Sequence, residues 1–168
     1  MDAVNPEQRI FVSYIDKSRE YYLAQGDGNP YRWAYHRDAP FAGLRTPLAR
    51  ARVGLVTTAA PLDGEADPKP GSIPKVVFAS PVEPPPARLY TRHHSWDKEA
   101  THTDDLDSFA PINRLREAAA AGRIGSLAPR FYGIPTEYSQ RKTNEIDAPE
   151  VLRLCREDRV DAAILVAL

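Results

Sequence analysis

The sequence predicts an α/β fold: a layered, mostly parallel sheet with flanking helices and long proline-rich loops. Three observations predict it. The runs Ala51–Ala60 and Asp161–Leu168 are short, β-branched and apolar with little polar alternation, as strands covered on both faces are. Helix-start and helix-stop signals stand between them, at Pro111–Gly122 and again from Asp147. The connections are long, as crossovers between parallel strands must be. A length of 168 residues suits one domain with a sizeable core, helical over residues 1–50 and sheet-forming over 51–168.

Taken in order, Asn5 is a good N-cap, Pro6 fits the first helical position and Gln8 completes a capping box. Ile10, Tyr14, Tyr21 and Leu23, flanked by Phe11 and Ile15, give a stripe of helical period, and Gly26 ends it ahead of a turn at Asp27–Pro30. Tyr31, Trp33 and Tyr35 form an aromatic segment, read either as a cover on the core or as a substrate lining. Pro40–Pro47 is irregular.

The strand Ala51–Ala60 carries Thr57 and Thr58 at its carboxyl end, where their hydroxyls either bind a ligand or satisfy backbone groups of the turn. Leu62–Pro74 is a turn-rich loop. Lys75–Ala79 and, more weakly, Arg88–Thr91 read as further strands. The four prolines of Pro81–Pro86 require extended chain outside any sheet interior.

The helix after Pro111 lines one face with Ile112, Leu115 and Ala119, and Gly122 suits the left-handed position that ends it. Ile124–Leu127 is a short extended piece stopped by Pro129. Phe131–Pro135 leads into a polar loop that runs to Ile146. Asp147 then caps a second helix, with Glu150 three residues on. Cys155 is a small buried residue of that helix. The last strand is wholly apolar after Asp161, and it ends at the edge where open parallel sheets collect their ligands. That placement predicts an incomplete domain.

Composition narrows the function classes. The 22 basic residues are balanced by 23 acidic ones with no long basic block, so nothing argues for nucleic acid. No apolar run approaches the roughly 18 residues that cross a bilayer, and Met1–Arg9 carries no apolar signal-peptide core. One cysteine forbids an internal disulfide and agrees with a cytoplasmic location.

The chemistry concentrates in Arg88–Tyr132. Three of the four histidines, His93, His94 and His102, fall within ten residues and alternate with Asp97, Asp104, Asp105 and Asp107. Their spacing matches neither a helical His-Glu-x-x-His pattern nor a zinc finger, so no metal is assigned. One reading is acid–base work, a histidine poised by Asp97 or Asp104 moving a proton on a substrate. Another is a protonated histidine pair that receives a carboxylate together with Arg92. A third makes the aspartates caps and turn-formers for the Pro111 helix, whose positive end they suit. Candidate catalytic residues are therefore His93, His94, Asp97 and His102, and candidate substrate-binding residues are Thr57, Thr58, Arg92 and Asp104. A metal-dependent hydrolase or lyase, and a non-catalytic binding or accessory domain, remain alternatives.

Several segments together resemble the selenoprotein B family. They are Thr57–Ala60 after a strand, His93-His94-Ser95-Trp96-Asp97, Phe109-Ala110-Pro111-Ile112-Asn113-Arg114-Leu115-Arg116-Glu117, and Gly125-Ser126-Leu127-Ala128-Pro129-Arg130-Phe131-Tyr132. The family holds the substrate-side subunit of glycine, sarcosine and betaine reductases and its D-proline reductase relative. The resemblance covers Arg52–Leu168. It implies reductive cleavage of a C–N bond in a small amino-acid-like substrate, with other reductase subunits and a thiol reductant as partners. It also implies a selenocysteine or cysteine nucleophile. In the family that residue follows a final strand like Asp161–Leu168 and opens a motif with a proline, a cysteine and a histidine. The present sequence stops short of it. The expectation is a reading frame interrupted at a UGA codon for selenocysteine, with no cofactor in this chain and the selenocysteine in a longer product.

Overall fold

The computed structural model describes residues 16–28, 34, 38, 42–61, 75–90, 104–136 and 139–166. It divides into two compact units, Met1–Ala39 and Pro40–Leu168. In the first unit residues 16–24 form helix α1, which Gly26 ends at φ +89°. Its Tyr21, Tyr22 and Leu23 are exposed, with the two tyrosine rings edge to face at 5.7 Å. The expected N-cap Asn5 and the first half of the apolar stripe, like Tyr31, Trp33 and Tyr35, lie outside the described residues.

The second unit is an α/β structure with a mostly parallel open sheet. Its axis is β1 (Arg52–Thr57), buried along nearly its whole length. Two later strands, β5 (Ser126–Leu127) and β6 (Arg130–Gly133), run parallel to β1 on one side. The last, β7 (Ala162–Val166), runs parallel to it on the other, in register from Val53↔Ala162 to Thr57↔Val166. An antiparallel strand, β3 (Phe78–Pro81), closes the far side against β6. A separate ribbon pairs β2 (Ala60–Pro61) with β4 (Leu89–Tyr90).

Alternation along β1 builds two cores. Val53 and Leu55 join Ile112 and Leu115 of helix α2 (Ile112–Ala120). Val56 points the other way and joins Tyr132 with Leu154 and Cys155 of helix α4 (Ala148–Glu157). Helices therefore cover both faces, as the apolar run in β1 requires. Helix α2 ends where expected, at Gly122 with φ +68°.

Four expectations are corrected. The strand near Lys75 lies three residues later and includes Pro81, which an edge strand accommodates because it need not donate on its open side. The weak strand at Arg88 belongs to the small ribbon and not to the main sheet. Pro129 does not stop the chain from pairing. Between β5 and β6 the register against β1 advances by two residues, Ala128 and Pro129, so the missing N–H falls in a bulge. The chain then continues as β6, with Phe131 and Tyr132 fully buried. Finally, β7 is not a buried strand: Leu165 is 74% and Ile164 40% exposed, because β7 pairs with β1 alone among the described strands. No helix among the described residues is long and apolar enough to cross a membrane.

Candidate functional site

The carboxyl end of β1 is organised by Thr57. Its buried hydroxyl donates to the carbonyl of Phe109 at 3.3 Å and accepts from the backbone N–H of Ala59 at 3.2 Å. The first bond fixes the segment entering α2 to the strand end, and the second closes the turn into β2. Thr58 is half-buried beside it. The β2–β4 ribbon leaves from this turn, and Leu89 of β4 is fully buried in the core that β1 shares with α2.

On the α2 side, the Asp105 carboxylate accepts from Asp107 N–H at 3.0 Å. The Asp107 carboxylate accepts from Asn113 backbone N–H at 2.9 Å and from its side-chain amide at 3.1 Å. These two aspartates cap, as one of the sequence readings had them. Asp104 is exposed at the start of this segment. Both flanks of the histidine stretch thus attach at one sheet edge. Arg92, His93, His94, Asp97 and His102 themselves lie outside the described residues. Among the described residues no group of three or more histidine, cysteine, aspartate or glutamate side chains has metal-binding geometry.

A second site lies on the opposite face of the sheet. The expected loop before Asp147 is helical. Ser139 caps it, its hydroxyl accepting from Lys142 N–H at 3.2 Å. Helix α3 (Gln140–Lys142) follows, then a π-helical turn over Thr143–Asp147, and α4 continues directly. Pro149 supplies a reason: it has no N–H for the carbonyl four residues back, and the chain widens so that Ala148 N–H reaches Thr143 O. Asp147 therefore caps nothing, and Glu150 turns to Arg153 at 2.8 Å instead of back to Asp147.

Asp147 is 3% exposed and lines a cavity of about 380 Å³ between this helical stretch and the sheet. Val56, Ile134, Val151 and Leu165 supply apolar walls, and Thr143 and Cys155 also line it. Burial pushes the Cys155 thiol up, the Asp158 charge adds to this, and a bond from Tyr132 opposes it. A thiol held protonated and 8% exposed is a poor nucleophile. The sequence pattern Asp-x-x-Glu hid this acid by imitating a cap. Pro149 inside a helical run was the signal that an irregular turn must precede it.

At the far end of α4 the polar groups are paired. Arg130 donates to both Asp158 oxygens at 2.9 Å and to Glu157 at 3.1 Å. Tyr132 donates its hydroxyl to Asp158 at 2.7 Å, and Arg52 reaches the Asp158 carbonyl at 2.8 Å. Arg130 holds the Asp158 carboxyl below its ordinary range, with the Tyr132 bond assisting and burial opposing. Burial, followed by the bond to Asp158, pushes the Tyr132 phenol up.

Of the segments that carry the family resemblance, the one before α2 and the one running into β6 have structural duties. Arg130 and Tyr132 clamp α4, Phe131 and Ile112 are core, and a Cβ on Gly125 would collide with the Arg50 backbone. No protein-family model, curated protein or solved structure matches this chain.

Proposed function

We propose that this chain is the N-terminal part of a selenoprotein B-type reductase subunit that cleaves a C–N bond of an amino-acid-like substrate in the cytoplasm. The observation that supports it most is the anchoring of both flanks of the histidine stretch at the carboxyl end of β1. Open parallel sheets use that edge for ligands. Leu89 and the Thr57–Phe109 bond fix the two ends. In this reading His93, His94 and His102, poised by Asp97, move the proton that the departing amine requires. Arg92 and Asp104 meet the charged ends of the substrate, and Thr58 contributes a hydroxyl from a turn that Thr57 holds.

The redox nucleophile is a selenocysteine or cysteine that the family places beyond its final strand. Cys155 does not fill that role, being buried in α4 with its thiol pushed up. A thiol reductant and further subunits complete the cycle.

The test is an assay of the product of the whole reading frame, together with its partner reductase subunits and a dithiol reductant, on glycine, sarcosine, betaine or D-proline. Free amine, or ring opening with D-proline, is expected. Alanine at His93, His94 and His102 together lowers the rate by about 100-fold or more, the usual worth of acid–base catalysis. No turnover of any of the four substrates contradicts the reading.

A further inference from the structure

We propose that the cavity beneath the π-helical turn is a binding site for a primary ammonium compound with an apolar body, and that Asp147 is its anionic anchor. This stands on the α4 face of the sheet and does not rest on the reductase reading. The cavity, at about 380 Å³, is within the range of small-molecule sites. Its walls are mostly aliphatic, so they reward an apolar ligand.

Asp147 is 3% exposed and has no hydrogen bond or ion pair with any described residue. Leaving a carboxylate out of water without a partner is costly, and proteins supply a cation or a donor to such a group. Among the described residues that line it, none is basic. The other acid there, Asp161, accepts from Arg52 N–H at 2.8 Å and adds to the negative field.

The same lining selects against an amino acid. A zwitterion would bring its own carboxylate into an apolar cavity that already holds one, with no cation to meet it. The preferred ligand is therefore an amine without a carboxyl group. Thr143, one helical turn before Asp147, also lines the cavity, and a hydroxyl is the second acceptor an ammonium there would use. A π-turn at this place fits a ligand site, since such turns recur where a helix is bent to serve function.

The experiment titrates the full chain with 2-phenylethylammonium, 2-phenylethanol and phenylalanine by calorimetry. The ammonium compound is expected to bind at least about tenfold tighter than either isostere, and to raise the melting temperature in a concentration-dependent way. Asp147→Asn removes that preference. Val151→Phe, which fills the cavity and keeps Asp147, abolishes binding while the circular dichroism spectrum stays native, and it decides the matter should Asp147→Asn fail to fold. Equal affinity for the alcohol or for phenylalanine overturns the proposal. So does a charge preference that survives Asp147→Asn, or binding that survives Val151→Phe.

Discussion

Asp147 and Asp158 stand at the two ends of helix α4, both largely shielded from water, and their surroundings differ in every other respect. Asp158 receives two bonds from Arg130 and one from Tyr132. Asp147 receives none from any described residue and borders an apolar cavity. The first belongs to the framework: it ties α4 to β6 at the amino end of the parallel strands. The second adds nothing to the framework that its own helix does not already provide. An acid kept buried without a partner among the described residues is a cost that stability alone does not explain, and departures of this kind gather at functional sites.

The contrast can be broken by mutation. Asp158→Ala strands a half-buried Arg130 and the Tyr132 hydroxyl, and should destabilise the protein by about 3 kcal/mol in urea unfolding, towards the lower end for a broken buried pair. A loss below about 0.5 kcal/mol would place the clamp among ordinary surface ion pairs. Asp147→Asn should act in the opposite direction. With no ligand present it should raise stability by about 1 kcal/mol, because a neutral amide is cheaper to bury than an unpaired carboxylate. A comparable loss would mean that Asp147 has a structural partner.

Smaller effects sharpen the same contrast. Tyr132→Phe removes one hydrogen bond to a charged acceptor and should cost about 1.5 kcal/mol in the same urea unfolding. Acid titration separates the clamp from the rest of the protein. The folded-state value of Asp158 is depressed, so the unfolded chain binds more protons and stability rises with pH across that window. The clamp contribution is complete above the ordinary carboxyl value of 3.8 and is lost as pH falls through the depressed one. Wild-type protein should therefore lose more stability than Asp158→Ala between about pH 5 and about pH 2; parallel curves would contradict this.

Much of the fold could be read in the residues because the signals were local. The apolar run of β1, the α2 pattern of Ile112, Leu115 and Ala119, and Gly122 behind it each report on their own neighbourhood. What escaped depended on distant partners. Pro129 looks like a stop until β1 is placed beside it, and then becomes a bulge between two strand halves. Asp147 looks like a cap until Pro149 widens the preceding turn. Phe131 and Tyr132 read as the entrance to a loop, yet one fills the core against Phe78, ring centroids 6.1 Å apart, and the other closes the clamp. Of the predicted site, Thr57 is legible in both roles considered for it, and only its hydrogen bonds to Phe109 and Ala59 show how its hydroxyl is engaged. The histidine stretch was conspicuous by composition, but nothing in its spacing assigns a role to each imidazole.

The measurement that tests the reductase reading most directly is the coding DNA beyond the codon for Leu168. The expected result is a UGA codon in frame, followed by codons for a proline, a cysteine and a histidine. A UAA or UAG codon there, or a UGA with no open frame behind it, contradicts it.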